Sequence, residues 1–184
     1  MALTSLASIR IEPGATGDSL IASLRALLRY HGADADESDL AALTRLNRTE
    51  DASQHRHELV ESAARLYGLE LRDLHPPDAA PLPITPPEFA AHFRDSYLPF
   101  ITQSLDRGKP AMAWMGWPKP DERKWGLIVG FDATSGQCMG ITMYSSAPVA
   151  MSAAPVQVFV VVSYESTQPT REQIAAAMNL IKQR

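Results

Sequence analysis

GDSLIASLRALLRYHG, residues 17–32, decides how the chain is read. Asp18 is placed to accept hydrogen bonds from the free N–H groups of a first helical turn. Leu20, Ile21, Leu24, Leu27 and Leu28 then recur at helical spacing and give one wide apolar face. Gly32 stops the helix, because glycine adopts the left-handed conformation cheaply. Ser19 falls at the first helical position, where the partial positive charge of the helix N-terminus favours an anion. A nucleophile in such a place is a common hydrolase device. The plainer reading of Asp18-Ser19 is a helix cap. On that reading Ser19→Ala costs within about 1 kcal/mol and Asp18→Ala costs more.

Working outward, residues 9–11 (IRI) offer a short strand before the Pro13-Gly14 turn. A second helix starts at Asp36 or Ser38, with Leu40, Leu43 and Leu46 on one face. A third spans 53–67, with Leu59, Val60, Ala63, Leu66 and Tyr67 as its apolar face, and ends at Gly68. Residues 69–74 alternate as a strand. Pro76, Pro77, Pro81, Pro83, Pro86 and Pro87 then exclude a helix interior or a central strand. This stretch reads as an ordered crossing, with an interdomain linker as the alternative. A fourth helix runs from Pro87 to about Arg107, kinked or interrupted at Pro99. Strands follow at 110–117, 125–131, 137–144 and 156–164, the middle two joined by the DATSG turn. The β-branched run VQVFVVVSY suits a central strand. A closing helix at 173–182 is capped by Thr170. The order is helices first and antiparallel sheet second, an α+β chain. It reads as one domain over 1–184, with a helical half at about 17–107 and a sheet half at about 108–184.

Three stretches resemble one family. Asp18-Ser19-Leu20, Ala22-Ser23 and Arg29-Tyr30-His31-Gly32 resemble the nucleophile helix of papain-like cysteine peptidases of the C39-like group. Their relatives include domains like the N-terminal part of the butirosin biosynthesis acyltransferase. Those helices read Asp-Cys-Leu and end in Arg-Tyr-His-Gly. KPAMAWMGW (109–117) is similar to the family's Gly-Arg-Pro-Val strand. WGLIVGFD (125–132) is similar to the strand that opens on the catalytic histidine and reads His-x-x-x-Val-Gly-Tyr-Asp. The resemblance implies a papain-like fold with Ser19 at the cysteine position and Trp125 at the histidine position. It also implies that Trp125 points at Ser19 and closes the cleft.

Such a site needs a thiolate, a base, a group orienting that base and an oxyanion donor. A serine hydroxyl is far less acidic than a thiol, and indole carries only a donor N–H. The orienting position falls in GITMYSSA, which offers only Thr142, Tyr144, Ser145 and Ser146. The oxyanion glutamine belongs near 13–15, where none stands. A Ser19–Lys124 dyad is disfavoured, since Lys124 faces away from Trp125 on an alternating strand. The GDSL string also resembles GDSL esterases, but over four residues only, and no histidine follows His92. The expectation is a catalytically inactive pseudo-peptidase that binds a peptide or protein segment through Asp18, Ser19, Trp114, Trp117, Trp125 and Tyr144. Two rivals are a residual serine-dependent hydrolase or acyltransferase using Ser19, and a structural or assembly subunit.

The three tryptophans read as core or as a flat platform, made adaptable by Met112, Met115, Met139 and Met143. Residues 121–124 read as a solvated charged tip. His31 suits a helix end, bonding terminal carbonyls or favouring the dipole. His75 and His92 read as solvated. His55 and His57 are two apart and cannot chelate together on a helix. Neither a metal nor a cofactor is expected. The net charge of −4 gives no footprint for nucleic acid or an anionic membrane. No apolar run is long enough to span a bilayer, and the start lacks a signal-peptide pattern. With the lone Cys138 excluding an internal disulfide, the expected location is cytoplasmic.

Overall fold

The computed structural model describes residues 4–6, 9–44, 57–76, 78–165 and 167–182. Helix α1 (Ser19–Tyr30) starts on Asp18, whose carboxylate accepts from the N–H groups of Leu20 and Ile21 at 2.8 and 3.2 Å. Gly32 follows its end at φ 89°. Ile21, Leu24, Leu27 and Leu28 are buried, each stabilising the fold by about 1.5–3 kcal/mol. Helix α2 (Glu37–Leu43) is capped by Asp36 and buries Leu40 and Leu43. Leu46 and the expected first turn of the third helix, His55 included, lie outside the described residues. That helix, α3 (His57–Leu66), buries Val60, Ala63 and Ala64. Strand β2 (Leu69–Asp73) alternates buried and exposed side chains.

The proline crossing leads to α4 (Pro86–His92), one residue earlier than expected. The single helix to Arg107 does not form. A π-helical turn, Phe93–Tyr97, separates α4 from α5 (Leu98–Asp106). Pro99 is the cause. It has no N–H, and in a regular helix its ring would strike the carbonyl of Asp95. The wider π turn before it removes that clash.

Strands β3 (Ala111–Trp114), β4 (Trp125–Asp132), β5 (Gln137–Thr142), β6 (Val149–Ala150) and β7 (Gln157–Tyr164) join β2 in an antiparallel sheet ordered β2-β7-β3-β4-β5-β6. Strand β1 (Thr4–Ser5) pairs with Phe131 and Gly130 of β4, beyond the end of β3. Residues 9–11 are not a strand; the lead-in strand lies earlier, in β1. The two-residue β6 has no counterpart among the expected strands. Strand β7 is flanked on both sides, as its apolar run requires. Helix α6 (Arg171–Lys182) opens on reciprocal bonds between Thr170 and Gln173, a capping box.

The sheet divides two cores. Met112, Trp125, Leu127, Val129, Phe159 and Val161 face α1, α2 and α3. Ala111, Ala113, Ile128, Val158 and Val160 face the opposite way, against Tyr97, Ile101 and Leu105 of the π turn and α5. The chain is α+β, but its helices do not form one layer on one sheet face. Helices cover both faces, and β2 from the helical half completes one sheet edge.

Candidate functional site

The N-terminus of α1 meets the start of β4. Ser19 Oγ accepts the backbone N–H of Trp125 at 3.0 Å. The partner of the hydroxyl is therefore a donor, which cannot take up a proton. This contact also corrects the expected cost of Ser19→Ala. Removing the oxygen strips a buried N–H of its acceptor, which costs about 1–3 kcal/mol. Trp125 lies on the α1 face with Leu127 and Val129, as alternation requires. It is 5% exposed and stacks on Phe159, centroids 6.0 Å apart and planes at 26°. The indole is a packed side chain of the core that α1 covers, and its backbone N–H is what meets Ser19.

The loop before α1 is also committed. Glu37 of α2 accepts from Ala15 N, Thr16 N and Thr16 Oγ1 at 3.0, 2.7 and 2.6 Å. These bonds, the Thr16 hydroxyl first, hold its carboxyl below the usual carboxylate range, and Arg25 at 4.0 Å adds to the effect. Where the resemblance calls for an oxyanion-binding glutamine, the backbone donors are occupied by a carboxylate.

The three tryptophans do not form one platform. Trp114 pairs across the ladder with Trp125 and packs half-buried on the α1 side. Trp117 lies on the opposite face, fully buried, with Nε1 donating to Lys124 O at 3.0 Å. The cause is the turn after β3, where Met115 and Gly116 both take positive φ, 69° and 86°. The indole then covers Gly126 and Gly140. A Cβ on either would sit 2.6 or 2.5 Å from ring atoms. Trp117 is thus a core side chain, and it also lines the floor of the cleft described below. Met112 and Met143 are buried too, which removes them from any adaptable surface. Beside Trp114, across the β3–β7 ladder, stands Gln157 at 3% exposure, its amide 3.5 Å from Asp73. A glutamine in a β-branched run was the available signal for this buried polar pair.

Tyr144 lies elsewhere again. It is 60% exposed and borders an open cleft of about 430 Å³. Pro118, Pro120 and Asp121 form one wall, and Thr142, Tyr144 and Ser145 the other. The charged tip is not wholly solvated. Asp121 is buried and accepts from Thr142 Oγ1, which is 3.1 Å from Ser145 Oγ. Tyr144 N in turn donates to Thr142 Oγ1 at 3.3 Å. Lys124 places its ammonium 6.0 Å from the Tyr144 ring centroid, within cation–π range. It shares no hydrogen bond with Ser19 among the described residues. The cleft adjoins the Ser19 end of the sheet, since Thr142 pairs with Gly126, next to Trp125.

His31 caps α1 through its backbone, but its ring is not a cation at the helix end. Burial, with Lys109 nearby, pushes its pKa down to about 4. His92 is half-buried, with Nδ1 3.4 Å from Ser96 Oγ and its ring 5.1 Å from Tyr97. Burial raises the Cys138 thiol to about 12, which leaves it a poor nucleophile. Among the described residues no group of three or more His, Cys, Asp or Glu is placed to hold a metal. Nor is any helix there long and apolar enough to cross a membrane. Comparison with family models, curated proteins and solved structures finds no match.

Proposed function

We infer that this chain is a catalytically inactive domain of papain-like, C39-like type that binds a peptide or protein segment. The observation that carries the reading is the Ser19–Trp125 contact. The hydroxyl at the nucleophile position accepts from a backbone N–H at 3.0 Å, and a packed indole holds the base position. Neither group can generate an alkoxide at neutral pH. Binding is assigned to the cleft beside this closed site rather than to the space before Ser19. An exposed aromatic ring, two prolines and the hydroxyls of Ser145 and Ser146 suit an extended chain. They offer apolar area at low entropy cost and acceptors for backbone N–H groups.

The test has two arms. A serine-directed phosphonate probe and fluorogenic ester and peptide substrates report on catalysis. A displayed peptide library, screened against the wild type and Tyr144→Ala, reports on binding. The expected result is no labelling, no turnover, and peptide capture that Tyr144→Ala abolishes. Labelling or turnover lost in Ser19→Ala refutes the inactive reading. A library without a Tyr144-dependent binder refutes the binding assignment.

A further inference from the structure

The chain carries a segment of the chemistry that its own cleft suits. Residues 78–88 read DAAPLPITPPE. Ile84 is 96% exposed, and Pro81, Pro86 and Pro87 are exposed around it. Thr85 stands at φ −88° and ψ 138°, near polyproline II geometry. Leu82 packs into the second core and α4 follows at once, so both ends of the short stretch are held. A proline-rich segment so fixed, ending in the first turn of α4, loses little entropy on binding.

We propose that the Tyr144 cleft of one molecule binds the proline-rich segment 81–87 of a second copy. This rests on the cleft being a peptide site. Charge supports the choice of occupant. Asp78 and Glu88 flank the segment, which contains no cation. Lys119 is exposed on the cleft wall, Arg123 is exposed in the loop that continues from it, and Lys124 lies over Tyr144. Asp121 is turned inward to Thr142, and Glu122 has Oε2 buried, so the outward charge there is positive. None of residues 78–88 lines the cleft within its own chain. Segment and cleft are different surfaces, so each copy offers one of each and the contact passes from one copy to the next. The contact is small, so the association is transient.

Sedimentation velocity on the full chain across concentration tests the proposal, together with titration of a fluorescent peptide of residues 78–88. The wild type should associate in a concentration-dependent, salt-weakened manner and bind the peptide. Tyr144→Ala should weaken both at least tenfold. Ile84→Ser should lose association but keep peptide binding. Mixing the two variants should give 1:1 dimers and nothing larger, because only one competent contact remains. Both side chains are exposed, so neither variant should change the melting temperature. A wild type that stays monomeric and ignores the peptide overturns the proposal. If library peptides still bind through Tyr144 in that case, the proposal alone falls and the peptide-binding reading stands.

Discussion

Trp125→Ala is the sharpest test of how the closed site is built. The residue is 5% exposed, packed on the α1 face and stacked on Phe159 at 6.0 Å. Truncating a buried tryptophan costs about 3–5 kcal/mol through lost transfer energy and the cavity left behind. The ring pair contributes about 0.5–1.5 kcal/mol within that figure. A domain has about 5–15 kcal/mol in total, so about a fifth or more of the stability should go. For a chain of this length the melting temperature should fall by about 6–20 °C. Urea unfolding gives the free energy, and a cycle with Phe159→Leu isolates the stacking contribution. A loss below about 1 kcal/mol would show that the indole is not a packed plug, and the account of the closed cleft would fail. Turnover should not appear either, since the space opened beside Ser19 contains no base.

Ser19→Ala should cost about 1–3 kcal/mol, because the buried Trp125 N–H loses its acceptor; denaturant unfolding equal to wild type would contradict this. Gly140→Ala should cost about 1–3 kcal/mol or more, since its Cβ would lie 2.5 Å from both the Trp117 ring and Leu127 O. The thermal midpoint reads it directly. Acid should weaken the fold through His31, whose pKa falls from 6.5 to about 4 on folding. The unfolded chain then binds the proton first, so the contribution is intact above pH 6.5 and is lost as pH falls toward 4. Allowing for solvent screening of a half-buried ring, the loss is about 1–2 kcal/mol. Urea unfolding at pH 7 and pH 4.5 should show it, and His31→Gln should flatten the difference.

What could be read from the sequence was local. Asp18 and Gly32 mark the ends of α1 because caps act through the nearest backbone groups. Alternation placed Trp125 on the face of Leu127 and Val129 because a strand repeats every two residues. Core and platform stayed open for Trp117 because its host is assembled from two glycines on other strands, 9 and 23 residues further on. Asp121 was taken for a solvated turn because its partner, Thr142, is 21 residues away. The π turn shows the intermediate case. Pro99 announced a break, but the form of the break depends on how α4 and α5 pack on the sheet.

Glu37 has an effect beyond holding a loop. The positive end of α1 is the feature of this site that would favour an anion. Two carboxylates stand there instead. Asp18 takes the first free N–H groups of the helix, and Glu37 takes those of the preceding loop. The field of the helix end is thereby offset, and little of it is left to favour negative charge developing there. On the proposed reading, inactivity is therefore distributed over the electrostatics of the entrance to α1, and exchanging the residues at 19 and 125 alone should not restore turnover.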